Sequence, residues 1–114
     1  MNAANESLLG GGGVDAAIHN GAGRGLFEEC ERLPIDRYGQ RCAVGEAKIT
    51  SGHNLPAKFV VHTVAPLLDG DGQPQPELLK LCYESCLAHI DGTKVRSMAF
   101  CCLVRGNHVI RFIC

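Results

Sequence analysis

The chain has 114 residues, 46% hydrophobic and 20% charged, a size and balance that give one globular domain with a real core and no room for a second. Eleven lysines and arginines against 12 acids leave a formal charge of −1. That excludes a general nucleic-acid binder, whose affinity rests on excess positive charge. No apolar run approaches membrane-spanning length, and Met1-Asn2-Ala3-Ala4-Asn5-Glu6 lacks the basic region and apolar stretch of a secretory signal.

In chain order, residues 1–9 read as a polar lead-in ending in Leu8-Leu9. Gly10 to Gly13 follow, a run that no helix or strand interior tolerates well. A short helix is expected from Val14 or Asp15 to about Gly21, after which Gly21, Gly23 and Gly25 break the chain. A second helix, about Leu26 to Leu33, places Leu26, Phe27, Cys30 and Leu33 near one face. Residues 34–44 read as a loop opened by Pro34, Ala47 to Thr50 as a short strand, and Ser51 to Pro56 as a turn. The β-branched run Phe59 to Val64 has the pattern of a buried strand. Residues 69–76, with Pro74 and Pro76, form an exposed loop. Glu77 to Ile90 is the strongest helix, with Leu79, Cys82, Cys86 and Ile90 at helical spacing and Leu78 widening the stripe. Val95 to Val104, interrupted early by Arg96 and Ser97, reads as a central strand. Helices alternating with apolar strands point to a layered α/β fold.

Seven cysteines, at 30, 42, 82, 86, 101, 102 and 114, are an odd and irregularly spaced set with no Cys-x-x-Cys pair. The five histidines, at 19, 53, 62, 89 and 108, add no zinc-like pairing. The cysteines therefore read as reduced thiols packed like small apolar residues, with no metal and no cofactor expected. The expected compartment is intracellular, cytoplasmic or nuclear.

The chemically informative segment is the glycine run and its flanks. A glycine run that ends at a helix start can cradle an anion: the backbone approaches closely, N–H groups converge, and the helix N-terminus favours negative charge. The other reading is a flexible linker. No Lys-Ser or Lys-Thr follows, and the glycines are contiguous rather than spaced, so neither the P-loop nor the dinucleotide fingerprint fits. Asp15 and His19, four apart, share a helix face. Asp15 is either a helix cap or a carboxylate able to orient or deprotonate a water, and His19 either packs or supports it. Asn5 is either a turn residue or an amide suited to the adjacent hydroxyls of a ribose.

The run Asn-Ala-Ala-Asn, then Leu-Leu-Gly-Gly-Gly-Gly-Val-Asp and Ile-His, resembles the signature of macrodomains, closest to the MacroD type of ADP-ribosyl hydrolase. Gly45-Glu46-Ala47-Lys48-Ile49-Thr50, Asn54-Leu55-Pro56-Ala57-Lys58, and His62-Thr63-Val64 with Pro66 follow that family in order and spacing. Cys82-Tyr83 and Arg96-Ser97-Met98-Ala99-Phe100 match more weakly. The resemblance implies a three-layer α/β/α fold with a mixed central sheet and ADP-ribose bound in a crest cleft. It places Asn5, Gly11, Gly12, Gly13, Val14 and Asp15 on the ligand, with Asp15, Asn5 and His19 as the catalytic group. The implied reaction is hydrolysis at the anomeric carbon of ADP-ribose esters: mono-ADP-ribose on acidic residues of proteins, and O-acetyl-ADP-ribose. The implied partners are ADP-ribose and mono-ADP-ribosylated proteins, with the protein a monomer.

The sequence also departs from that family. Family members have one or two strands before Asn-Ala-Ala-Asn and, there, an acid that reads the adenine amine, whereas this chain starts at Met1. The family's Ser-Thr-Gly-rich loop is replaced after Cys102 by a divergent tail, residues 103–114. His53, Ala65 and Asn20 stand where an aromatic, a glycine and a basic residue are usual. The expectation is a single incomplete domain over 1–114, marginally stable and weak in binding and catalysis. The alternative function is a non-catalytic ADP-ribose reader or an inactive fragment.

Overall fold

In the computed structural model, which describes residues 1–93, 95–105, 108 and 109, the run Phe59–Val64 is the middle strand of a three-stranded sheet. The elements in chain order are β1 (Asn2–Ala4), α1 (Gly13–Ala22), α2 (Arg24–Glu31), β2 (Ala47–Ser51), β3 (Phe59–Val64), α3 (Pro76–Ile90), β4 (Val104–Arg105) and β5 (His108–Val109). β1 lies parallel to β3, with Asn2 opposite His62 and Ala4 opposite Val64. β2 lies antiparallel to β3, with Ile49 opposite Val61 and Thr50 opposite Val60. The sheet is therefore mixed.

Strand alternation divides the two faces. Ala4 and Val64 point to one side, where they pack with Leu8, Ala22, Leu26, Cys30 and Cys42 under α1 and α2. Ala47 and Val61 point to the other, against Cys86 of α3, while Leu79 and Cys82 of the same helix pack with Ala65 and Leu103. Both faces of β3 are covered, which is why its sequence runs apolar without alternation. This is the expected α/β/α layering, here with three strands in the main sheet. The cysteines at 30, 42, 82 and 86 are free and fully buried, filling the core as small apolar groups.

Helix limits follow local chemistry. α3 starts one residue earlier than expected because Pro76, whose missing N–H costs nothing in the first turn, opens it. α2 is shifted toward the N-terminus relative to the expected Leu26–Leu33. Pro34 disfavours helical geometry at Leu33, and Leu33 N–H turns back to Cys30 O instead (3.0 Å). Phe27, expected on the buried face, is exposed; Leu26 and Cys30 carry the burial.

Two expectations about strands are corrected. Asn2–Ala4, read as part of a polar lead-in, is strand β1, and Asn2 is fully buried. Asn and Ala have little intrinsic β preference, so the pairing with β3 decides the conformation. Val95 to Val104 is not a central strand: residues 95–103 carry no regular structure, and β4 pairs only with β5, outside the main sheet. The segment does run beside β1, since the Met1 ammonium donates to Ala99 O (2.7 Å) and Cys101 packs near Met1 and Ala3. With only three residues in β1, there is little edge to support a ladder.

Candidate active site

The site forms where β1 ends and α1 begins. The segment between them is braced from within by Asn5. Its Oδ1 accepts from Ser7 N–H (3.0 Å) and Ser7 Oγ–H (2.6 Å), and its Nδ2 donates to Gly10 O (2.9 Å). Ser7 Oγ accepts in turn from Leu9 N–H. Arg41 clamps the same segment from outside, donating from Nη1 to Ser7 O and from Nη2 to Glu31 O. Leu8 anchors it, fully buried although its φ is +58°. Asn5 is thus a turn residue that also lines the cleft beside Gly11 and Gly12. An amide nitrogen carries two hydrogens, so one remains after the bond to Gly10, and the nitrogen lies beside Gly11.

Gly10 and Gly13 have φ of +95° and +61°, the region glycine adopts without steric cost. Gly13 opens α1, and Gly12, at the N-cap, offers no side chain. The first N–H groups of a helix have no partner within it, and here the neighbouring glycines leave the approach to them open. Together with Ala3, Ala4, Asn5, Asp15 and Ala65, Gly11 and Gly12 line a cleft of about 150 Å³.

Among the described residues Asp15 is the one charged side chain lining that cleft, and it is 3% exposed. It sits in the first turn of α1, yet α1 has no side-chain cap hydrogen bond, so the cap reading is set aside. Oδ1 instead accepts from Asn2 Nδ2 at 2.9 Å and lies 3.5 Å from His19 Nε2. Oδ2 points the other way: a Cβ placed on Gly11 would lie 3.3 Å from it and 3.2 Å from Asn5 Nδ2. One oxygen is held by the protein and the other is presented to the cleft beside an amide donor. Only a residue without a side chain at position 11 leaves that space free.

His19, on the next turn, makes no hydrogen bond through Nε2 among the described residues; its ring packs under Gly10 and lies 6.4 Å from the His62 ring. The structure thus brings Asn5, Gly11, Gly12, Asp15 and His19 together. Gly13 and Val14, also expected on the ligand, begin α1 and are not among the described residues that line the cleft; Val14 is exposed.

Sequence reasoning missed what lies beneath Asp15. The Asn2 nitrogen that serves Asp15 also meets His62 Nδ1 at 3.0 Å, and His62 Nε2 lies 2.9 Å from Thr50 Oγ1. All four side chains are buried. Burial pushes the His62 imidazole down to about 4, with His19 and the N-terminal ammonium adding to the effect, so the ring is neutral at pH 7. The available signal was a lone histidine inside an otherwise apolar strand.

The Macro domain family matches residues 1–111, and the chain belongs to that family. A Macro domain-containing protein of Methanosarcina mazei is 47% identical over 108 residues, covering 95% of this chain and 54% of that protein. The ADP-ribose glycohydrolase MACROD1 of Mus musculus is 49% identical over 109 residues, covering 93% of this chain and 31% of that protein. The Trypanosoma brucei macrodomain superposes with a TM-score of 0.76 at 42% identity, covering 90% of this chain and 38% of that one. The same macrodomain in complex with ADP-ribose gives 0.65 at 43%, covering 78% and 34%. The chain spans about half the length, or less, of the curated relatives it matches.

Proposed function

We propose that this macrodomain binds ADP-ribose in the glycine-lined cleft and hydrolyses its esters, releasing mono-ADP-ribose from acidic residues of proteins and from O-acetyl-ADP-ribose. The observation that carries this is Asp15: a nearly buried carboxylate with one oxygen tied down and the other facing a cleft walled by glycine backbone. The ligand-bound Trypanosoma relative and the glycohydrolase relative support the ligand and the reaction class. Asn5, with one amide hydrogen left after the bond to Gly10, takes a hydroxyl of the distal ribose. The N–H groups at the start of α1 and the glycine backbone take the diphosphate, which a chain of near-neutral charge can hold without arginine or lysine. Asp15 Oδ2 accepts a hydrogen bond from the attacking water and receives its proton as the new C–O bond forms. The anomeric C–O bond of the ester breaks, and its carboxylate leaves with the bond's electrons. The positive charge that develops at the anomeric carbon is stabilised by Asp15 and by the substrate's own diphosphate. His19 supports Asp15 from the next turn.

One observation favours the second reading, a reader without catalysis. A cleft of about 150 Å³ is roughly half the lower bound usual for a small-molecule pocket, so it holds part of the ligand only. Calorimetry with ADP-ribose, paired with release of label from a protein mono-ADP-ribosylated on carboxylates, separates the two. Binding with release supports the hydrolase, binding without release supports the reader, and no binding at millimolar ligand refutes both. The free thiols at 30, 42, 82, 86, 101 and 102 support action in a reducing, intracellular compartment.

A further inference from the structure

The carboxylate of Asp15 is an acceptor, so the Asn2 side chain must turn its nitrogen, not its oxygen, toward Oδ1. The second hydrogen of that nitrogen then meets His62 Nδ1, which must carry no proton to accept it. The ring proton is therefore on Nε2, and it donates to Thr50 Oγ1. Each link depends on the next. With the proton on Nδ1 instead, His62 would need an acceptor from Asn2, the amide would have to turn, and Asn2 Oδ1 would face the Asp15 carboxylate. The burial of all four groups leaves no solvent to compensate, and Asn2 Oδ1 already has no hydrogen-bond partner among the described residues.

We propose that His62 and Thr50 are positioning residues for Asp15: the Thr50 hydroxyl accepts the Nε2 proton of the one tautomer whose Nδ1 can receive the Asn2 amide, and the amide so held fixes Asp15 Oδ1 and leaves Oδ2 facing the cleft. Neither residue lines the cleft. The chain runs across the sheet, from Thr50 on β2 through His62 on β3 to Asn2 on β1, and leaves it at α1. Strand register sets it up: Asn2 is directly opposite His62, and Thr50 is the diagonal neighbour on the same face. This assignment rests on the reading of Asp15 as the reacting carboxylate.

The test is Thr50→Val against Thr50→Ser in the full chain. Valine keeps the shape and removes the acceptor; serine restores it. Thr50→Val is expected to lower kcat for ester hydrolysis about tenfold, the size of one lost positioned hydrogen bond, with KM and ADP-ribose affinity within about twofold of the parent. Thr50→Ser should recover most of that loss. Nitrogen NMR of the histidine ring supplies a readout independent of turnover: the parent and Thr50→Ser should show His62 protonated on Nε2, and Thr50→Val should show a shift toward Nδ1 together with movement of the Asn2 side-chain amide signals. The proposal is overturned if the parent carries its proton on Nδ1, if Thr50→Val retains the parental tautomer and kcat, or if serine falls as far as valine. A parent that hydrolyses no ester sinks the enzymatic reading alone, and the tautomer measurements still decide whether the relay exists.

Discussion

Acidification should destabilise this domain through His62. The imidazole is fully buried and its pKa falls from the ordinary 6.5 to about 4. The unfolded chain therefore binds a proton at His62 below pH 6.5 that the folded chain refuses until about pH 4. Stability from this group is fully present above 6.5 and is lost as pH falls toward 4. At about 1.4 kcal/mol per pH unit, the loss between pH 7 and pH 5 is about 2 kcal/mol. Against a total of roughly 5–15 kcal/mol for a small domain, that is large enough to measure. The chain has no tryptophan, so urea unfolding is followed by far-ultraviolet circular dichroism at pH 7, 6 and 5. His62→Gln removes the titrating group while leaving an amide oxygen near Asn2. Its stability at pH 7 should fall by about 1–3 kcal/mol for the disturbed bonds, but its pH dependence over this window should be flatter than the parent's by about 2 kcal/mol. Parallel curves for parent and variant would refute the argument. So would an NMR titration of His62 with a midpoint near 6.5.

Three further outcomes are expected. Asp15→Ala should cut ester hydrolysis by about 10²–10⁴-fold, with a smaller loss of ADP-ribose affinity by calorimetry; proportional losses would make Asp15 a binding residue only. Gly11→Val should abolish ADP-ribose binding, because its side chain would press on Asn5 Nδ2 and Asp15 Oδ2 at the cleft wall, while the thermal midpoint changes little at this exposed position. Under brief alkylation read by mass spectrometry, Cys102, which is exposed, should react while Cys30, Cys42, Cys82 and Cys86 stay unmodified until the protein unfolds; burial pushes Cys30 and Cys86 up to about 11 and Cys42 up to about 12, so neither access nor thiolate is available at pH 7.

The parts of the fold that were legible are those whose burial is written in their composition. Phe59–Val64 has both faces covered and reads as one apolar run; α3 buries Leu79, Cys82 and Cys86 at helical spacing. Where conformation comes from a distant partner, local pattern fails. Asn2–Ala4 is a strand because β3 lies beside it, and Val95 to Val104 has strand composition without a ladder to join. The glycine run and Asp15 were legible as a candidate site because close backbone approach and a carboxylate at a helix start have few other uses together, and the structure does place Gly11, Gly12 and Asp15 on one cleft.

The same reasoning explains why the support beneath the site was hidden. Asp15 and His19 are one helical turn apart, so their meeting can be read from spacing. Asn2, Thr50 and His62 come from three strands, 48 and 12 residues apart along the chain, and meet only once the sheet has formed in this register. A one-residue slip of β2 against β3 would turn Thr50 to the α3 face and leave His62 Nε2 without its acceptor in a dry interior. The polar relay and the apolar strands therefore select the same pairing. Apolar packing alone would accept several hydrophobic substitutes on β3, whereas the hydrogen-bond chain accepts one tautomer of one side chain. The site's carboxylate is thus tied to the correctness of the sheet, and a misregistered sheet would lose the aim of Asp15 along with its packing.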